Sequence, residues 1–183
     1  MNETLKIIAE RFSCRDFSDT PITDEQLQTI LKAGLAAPSG GDSQPWQVVV
    51  VRDKALIEEY DANGMGMLAA AEDKMMYDRM MGRGGKLLYN APCMMLILSN
   101  GLPRAATDCG IMCQTIAIAA GSLGLNSCIV GMAGLPLGGP KGEEFKKRMR
   151  FKDGYEFAIG ILLGTANTVS KPHEIDMEKV TYI

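Results

Sequence analysis

Apolar and polar positions follow two periods along the chain, and together they predict a protein built from helices and strands. Apolar residues at helical spacing indicate amphipathic helices, whereas β-branched or continuous apolar runs indicate buried strands. We predict helices over residues 3–11, 24–37, 54–60, 68–80, 105–123 and 138–150, and strands over 48–51, 93–99, 126–131 and 155–163. This order favours the α+β class, with helices on both sides of a mixed central sheet.

Three of these elements carry further local signals. Thr23 and Gln26 have the spacing of a capping box at the start of the second helix, which Pro38 ends. The helix over 105–123 is apolar nearly all round and should be buried on most sides. One chain would struggle to cover it, which favours a dimer. The strand over 155–163 is apolar on both faces and should be central.

Two segments allow more than one interpretation. The methionine-rich stretch over residues 65–81 predicts either a helix packed in the core or a mobile wall over a site. The last twenty residues, 164–183, lack periodicity, so they are disordered or lie extended on a partner. No change in composition marks a second domain, and residues 1–183 are expected to form a single domain.

Composition and charge exclude several classes of protein. The 183 residues carry a net charge of −3 and no basic stripe, which argues against a nucleic-acid-binding protein. No apolar run approaches the length of a membrane helix, and charges in the first twenty residues argue against a signal peptide. The five cysteines are scattered and odd in number, which suits a reducing compartment. A cytoplasmic protein without a membrane partner is therefore expected.

Cationic residues near both ends of the chain are the first candidates for a binding site. Arg11, Ser13 and Arg15 share one face of an extended segment and could form a phosphate or carboxylate receptor. The alternative is a solvated basic turn. Lys171 and His173 form a second cationic spot in the C-terminal tail, where exposed tail residues are the simpler interpretation.

The loop over residues 37–46 is the second candidate, because it joins a helix to a valine-rich strand and ends at the only tryptophan. Such a loop is either a binding loop or an ordinary connection. His173 is the only histidine, which leaves little basis for a catalytic triad. Cys14, between a serine and an arginine, could be a reactive thiol. Without a recognisable acid/base pair, metal cluster or nucleotide fingerprint, the chain either only binds or takes its chemistry from a cofactor.

Three motifs in register resemble the nitroreductase family of flavoproteins. They are R-x-S-x-R at residues 11–15, P-I-x-x-E-Q-L at 21–27 and A-P-S-x-x-x-x-Q-P-W at 37–46. Residues 121–131 and 155–164 resemble the family's later core elements, and residues 171–173 resemble its basic tail motif. The resemblance covers nearly the whole chain apart from the methionine-rich middle.

The resemblance implies an α+β homodimer with a mainly antiparallel sheet, FMN at the subunit interface and a C-terminal extension exchanged between subunits. Arg11 and Ser13 would hold the phosphate together with Lys171 or His173, and Arg15 would lie near the pyrimidine edge. The loop from the partner chain would contact the flavin ring. The implied cofactor-binding set is Arg11, Phe12, Ser13, Arg15, Pro38, Ser39, Gly40, Asp42, Gln44, Ile129, Val130, Gly131, Lys171 and His173.

The same resemblance implies a ping-pong oxidoreductase without a catalytic side chain or metal of its own. NADH or NADPH would reduce FMN, which would then reduce a nitroaromatic, a quinone or another electrophilic acceptor. The alternatives are a flavin-storage or flavin-sensing protein, or the same fold with other flavin chemistry such as reductive dehalogenation or flavin breakdown. The chain departs from the family at Asp42, where asparagine is usual, and in its short length.

Overall fold

A four-stranded antiparallel sheet lies at the centre of the computed structural model, which describes residues 1–183. The strands are β1 (Trp46–Val51), β2 (Cys93–Ser99), β3 (Asn126–Val130) and β4 (Glu156–Gly164). Their order is β1-β2-β4-β3, so β2 and β4 are central, as predicted for β4. The sheet is not mixed, because all three strand pairings are antiparallel. Its one parallel contact is an isolated bridge between Ser13 and Ser127.

Six α-helices surround this sheet. They are α1 (Glu3–Glu10), α2 (Asp24–Leu35), α3 (Lys54–Ala70), α4 (Met75–Met81), α5 (Ala105–Ser122) and α6 (Gly142–Arg148). Short 3-10 helices cover Gly40–Asp42, Gly131–Gly138 and Met177–Lys179. The predicted capping box is present at α2: the Thr23 hydroxyl accepts from the Gln26 N–H, and the Gln26 side chain accepts from the Thr23 N–H. No helix is both long and apolar enough to cross a membrane.

Each face of the sheet has its own apolar core. On one face, Met95 and Ile161 pack against α2 and α5. On the other, Leu96 and Leu162 pack with Tyr60 of α3. Successive residues of a strand point to opposite faces, so strands covered on both sides must be apolar throughout. The prediction of helices on both sides of a central sheet is therefore confirmed.

Helix α5 is the centre of the first of these cores. Eight of its 18 residues are buried, and the others, Ile111 among them, are partly or fully exposed, so a single chain does not bury this helix on most sides as predicted. Helix α2 lies very close to it, because a Cβ at Gly34 would stand 2.6 Å from Cγ1 of Ile116. A glycine at this position allows two helix backbones to approach more closely than larger side chains would permit.

The helical predictions between the first two strands were wrong. Residues 54–60 do not form a short separate helix, because α3 continues to Ala70. The next helix does not run over 68–80: α4 spans only Met75–Met81, after the extended backbone of Ala71. The methionines are divided between the two interpretations, since Met80 is buried whereas Met75 and Met81 are exposed.

The predicted helix over 138–150 is also shorter than expected. Residues Gly131–Gly138 form a 3-10 helix that leads from β3 toward α6, and α6 begins only at Gly142. A Cβ at Gly142 would lie 2.0 Å from the Leu137 carbonyl oxygen, so the connection folds tightly back on itself there. The end of β3 is thereby followed at once by a compact turn.

Candidate functional site

The Arg11–Arg15 segment lies directly against the start of β3. Arg11 caps α1, its N–H donating to the Ile7 carbonyl at 3.0 Å. Ser13 then pairs with Ser127 in the parallel bridge, and the Cys14 N–H donates to the Ser127 carbonyl at 3.0 Å. The chain therefore leaves α1 in an extended form and runs beside β3 for several residues.

Three guanidinium groups act on this end of β3. Burial raises the pKa of the Cys128 thiol, and the positive charges of Arg15, Arg11 and Arg83 oppose that rise. None of these three arginines forms a salt bridge within the chain. Positive charge that no carboxylate neutralises is well suited to attract an anion. Arg83 was missed by the sequence analysis, because it lies in a glycine-rich turn that matches no phosphate-binding motif.

A cavity of about 420 Å³ opens beside this segment. Its walls include Arg11 from the end of α1, Gly121 from the last turn of α5 and Ser127 from β3. Ser127 is 2 % exposed, and its hydroxyl has no hydrogen-bond partner within the chain. Leaving a buried hydroxyl unpaired is unfavourable. The cavity thus combines an unneutralised guanidinium with a hydroxyl that needs a partner.

A larger cavity of about 670 Å³ lies elsewhere, between the start of α3 and the segment that precedes β2. Its two cations, Arg52 and Lys54, are already paired with Asp24 and Asp19 respectively. Because its charges are internally neutralised, we regard the smaller cavity as the better candidate for an anion site despite its size.

Residues of the C-terminal tail line the smaller cavity, but the two cationic residues of the tail do not. Val169, Ser170 and Pro172 contribute to the cavity wall. Lys171 and His173 lie between and beyond them and are exposed. The structure therefore brings the tail to the Arg11 end of the molecule but leaves both cationic side chains toward solvent.

The loop from Pro38 to Gln44 has a strained and ordered backbone. Gly41, Asp42 and Gln44 have φ values of 59°, 55° and 42°, in the left-handed region. The Ser39 hydroxyl accepts from the Gln44 N–H at 2.9 Å, and the Gln44 side-chain amide donates to Asp42 Oδ1 at 3.0 Å. Left-handed non-glycine residues often mark functional loops.

Asp108 connects this loop to the body of the fold. The Gly40 N–H points at both carboxylate oxygens of Asp108, each 3.3 Å away. Asp108 lies in the first turn of α5 and is buried. The sequence analysis did not identify it, because no local signal links residues 68 positions apart.

The two groups of candidate residues lie at opposite ends of α5. The loop meets the first turn at Asp108, whereas α1 meets the last turn, where a Cβ at Gly121 would lie 2.8 Å from Ile7. The helix between Asp108 and Gly121 spans roughly 20 Å, at about 1.5 Å per residue. The loop and the Arg11–Arg15 segment therefore do not meet within one chain.

The remaining candidates lie where β3 ends. Ile129 and Val130 pair with Ile161 and Gly160 of β4, and Val130 is buried. Gly131 follows as an exposed residue at the start of the 3-10 helix. Phe12 packs against the core from the side of the Arg11–Arg15 segment. Of these residues, Gly131 leaves backbone uncovered just beyond the end of β3.

The hypothesis of a reactive Cys14 is wrong. Burial raises the pKa of its thiol, and the nearby Arg15 charge is too weak to reverse that effect. All five cysteines are buried and unpaired. A thiol with a raised pKa and little exposure is a poor nucleophile, so Cys14 serves as a core residue.

The chain is similar to known proteins both in sequence and in fold. The family model described as Nitroreductase family matches residues 8–164. A crystal structure of a nitroreductase with bound FMN from Desulfitobacterium hafniense is 49% identical, with a TM-score of 0.97 and coverage of 100% of this chain and 99% of that one. An FMN-dependent nitroreductase from Clostridium difficile is 27% identical, with a TM-score of 0.82 and coverage of 100% and 99%.

Curated relatives agree with these structures over part of their length. An FMN reductase [NAD(P)H] of Bacillus subtilis is 30% identical over 72% of this chain, and an NADPH-flavin oxidoreductase of Vibrio harveyi is 34% identical over 72%. The chain spans about half the length of both, 55% and 54% respectively. Since the family model extends over most of the chain and the fold agrees throughout, the chain belongs to the Nitroreductase family.

Proposed function

We propose that this chain is a cytoplasmic FMN-dependent oxidoreductase of the nitroreductase type, with NADH or NADPH as electron donor. Residues 1–183 form one FMN-binding domain, and two copies form a homodimer with FMN at the interface. The observation that carries the proposal is the unneutralised Arg11 beside the unpaired Ser127 hydroxyl, in a chain 49% identical to a nitroreductase with bound FMN. Five unpaired cysteines suit the reducing compartment proposed.

The residues at the Arg11 end fit the phosphate of FMN. A phosphate monoester is a dianion rich in acceptor oxygens and needs positive charge and donors. Arg11 supplies a guanidinium, and the hydroxyls of Ser13 and Ser127 supply donors at the bridge between the segment and β3. Lys171 or His173 would complete the receptor once the tail turns inward.

The residues at the end of β3 and in the loop fit the ring system. The exposed Gly131 would present free backbone to one side of it, and Ile129 and Val130 would hold that backbone in place at the end of β3. Arg15 would place positive charge at the pyrimidine edge, where reduction adds negative charge. Bound FMN would supply the electron-transfer chemistry, so the protein needs to bind, orient and shield rather than provide a catalytic base.

The contacts of Asp42 indicate a role for this residue, which stands where the family usually has asparagine. Its Oδ1 already accepts the side-chain amide of Gln44, so one of its oxygens is engaged inside the loop. We assign Asp42 the task of orienting Gln44, with Pro38, Ser39 and Gly40 forming the remainder of the contact surface. An ionised aspartate can only accept hydrogen bonds, which suits this task.

The proposed dimer is supported by the separation of the two residue groups along α5. A site that needs both groups is completed when the partner chain supplies the loop. Exposed apolar side chains on α1, α2 and α5 offer surface for that contact, among them Leu5, Ile8, Leu35 and Ile111. The exposed apolar residues of the tail, Ile175, Val180 and Ile183, would be covered if the tail exchanged between subunits.

The acceptor class is proposed to be nitroaromatics, quinones or similar electrophiles, reduced after the nicotinamide has left. The exposed Met75 and Met81 of α4 would form an adaptable apolar wall for such varied molecules. A ping-pong order follows because donor and acceptor would use one ring face in turn.

The test is to purify the protein, record its absorbance spectrum and add NADH or NADPH without oxygen. We expect a yellow protein with about one FMN per chain whose flavin bands bleach on addition of either nicotinamide. A colourless protein that cannot be reconstituted with FMN would contradict the proposal. A yellow protein that neither nicotinamide reduces would favour flavin storage or sensing instead.

A further inference from the structure

We infer that Asp108 is a positioning residue for the flavin site: its carboxylate holds the Gly40 N–H and thereby fixes the loop Pro38–Gln44. The inference rests on the proposed function, because it assumes that this loop contacts the flavin ring. It assigns a role to a residue on α5 that lies outside every motif of the site.

The hydrogen bond between Gly40 and Asp108 is a tertiary contact. Asp108 is 7 % exposed and accepts from the Gly40 N–H with both oxygens at 3.3 Å. No lysine or arginine of the chain pairs with it. A buried carboxylate without a cation is unfavourable unless donors reach it. The donor that reaches the Asp108 carboxylate is a single N–H of the loop. This contact therefore points to a role of Asp108 in holding the loop.

The loop has few other ties to the fold. Its internal hydrogen bonds, from Gln44 to Ser39 and to Asp42, hold its shape but not its place. At its far end, the Pro45 carbonyl accepts from the Asn100 N–H at 3.1 Å, next to β1. Within the exposed turn over residues 40–44, the bond from Gly40 to Asp108 is thus the one hydrogen bond to a part of the fold distant in sequence.

The backbone of this turn needs an external tie. Asp42 and Gln44 hold left-handed conformations that non-glycine residues rarely adopt. Strained backbone persists only where the surroundings hold it in place. Without the Asp108 carboxylate, we expect the turn to relax and to present its ring-contacting residues in several arrangements.

The first test compares FMN with riboflavin, which has the same ring but no phosphate. For Asp108→Ala we expect the dissociation constants of both flavins, measured by fluorescence quenching with apoprotein, to rise by a similar factor of about ten. Arg11→Ala should raise the dissociation constant of FMN only, because riboflavin has no phosphate for Arg11 to contact. Asp108→Asn retains an acceptor oxygen and should restore most of the affinity.

The second test removes the donor instead of the acceptor. Gly40→Pro deletes the N–H, and the extended backbone of Ser39 (φ −141°, ψ 156°) is compatible with a following proline. A Cβ at Gly40 would meet only Asp108 Oδ2, at an ordinary 3.8 Å. The proline Cδ, however, takes the place of the amide hydrogen and presses against the carboxylate, so the variant removes the donor and also pushes the loop away from Asp108. We expect Gly40→Pro to weaken both flavins at least as much as Asp108→Ala, and the double variant, in which the clash is relieved, to lose no more than Asp108→Ala alone.

Controls separate positioning from loss of folding. Thr107→Ala changes the exposed neighbour of Asp108 on the same helix and should leave both affinities unchanged. Thermal unfolding of the apoproteins shows whether each variant is folded at the assay temperature. If Asp108→Ala does not fold, Gly40→Pro and Asp108→Asn carry the comparison on their own.

Two results would overturn the inference: folded Asp108→Ala or Gly40→Pro with wild-type affinity for both flavins, or fully additive effects in the double variant. A loss confined to FMN would also overturn it, because the phosphate site would then be affected. Failure of the wild-type protein to bind either flavin would instead contradict the proposed function, so the two failures are distinguishable.

Discussion

Arg11 and Cys14 are three residues apart, but their surroundings give them opposite roles. Arg11 is half-buried at the end of α1, beside a cavity and without a carboxylate partner. Cys14 is buried in the core, where its thiol donates to the Asp16 carbonyl at 3.3 Å. The extended backbone between them turns alternate side chains to solvent and core. Ligand binding at this segment should therefore depend on the side chains of Arg11, Ser13 and Arg15.

This contrast gives a direct prediction for FMN retention. Arg11→Ala should weaken FMN binding roughly 10- to 100-fold, since a charge-assisted hydrogen bond to the phosphate contributes about 1.5–3 kcal/mol. Cys14→Ala should leave binding nearly unchanged, because its side chain faces the core. Flavin content after gel filtration and equilibrium titration with FMN measure both. Equal losses in the two variants would contradict the phosphate assignment.

The helices and strands show what local patterns can predict and where packing decides. The capping box, the continuously apolar strands and the apolar α5 were predictable because their signals lie within a few residues. The length of α3 was not predictable from such local signals. Gly64 signals a turn in the sequence, yet in the structure it admits Leu87, whose Cδ2 would lie 2.5 Å from a Cβ at that position. A glycine required by packing resembles a glycine required by a turn.

The residues of the candidate site were likewise predictable only where their signal is local in the sequence. The R-x-S-x-R segment and the loop were found because their residue types are informative in sequence. Ser127, Arg83 and Asp108 were not, since each gains its meaning from a contact that only the fold creates.

Glu59 of α3 connects two elements by charge. Its carboxylate contacts Arg148 of α6 at 2.7 Å and Lys141, which precedes α6, at 3.0 Å. The hydrogen bonds from Arg148 and then Lys141 lower the pKa of Glu59 below its ordinary 4.5. A lowered carboxyl pKa contributes stability above the unfolded-state value, and that contribution is lost as the pH falls through the folded-state value.

Glu59→Gln should therefore be less stable than the wild type at neutral pH. The difference should shrink as the pH falls below 4.5 and vanish below the lowered pKa of Glu59 in the folded protein. High salt should also reduce it, because the groups are partly exposed. Urea unfolding at several pH values measures the difference in free energy. Glu58→Gln, which changes an exposed neighbour without a salt bridge, is the control. A difference that does not shrink as the pH falls below 4.5 would contradict the ionic explanation.

At the scale of the whole molecule, the length of α5 separates the parts of the site. One chain carries the proposed phosphate receptor at one end of this helix and the loop at the other, roughly 20 Å away. A symmetric pair of chains can bring the loop of each to the receptor of the other. The proposed dimer then has two equal sites, and each contains parts of both chains.

Mixed dimers test this arrangement. When Arg11→Ala and Asp108→Ala chains are unfolded together and refolded, half of the dimers should be hybrids. If sites are shared, each hybrid has one doubly defective site and one intact site, so about a quarter of all sites regain wild-type FMN affinity. Tight-site titration with FMN counts them. If each site belonged to one chain, no site would be intact and no high-affinity binding would return.

The separation of the loop from the Arg11 end along α5 has a thermodynamic consequence. In the proposed dimer, flavin binding and subunit association are linked equilibria, because neither half of the site binds well alone. FMN should then tighten the association of the two chains by the same factor by which association tightens FMN binding. Dilution alone would release the cofactor, and cellular FMN levels would influence how much of the protein is assembled.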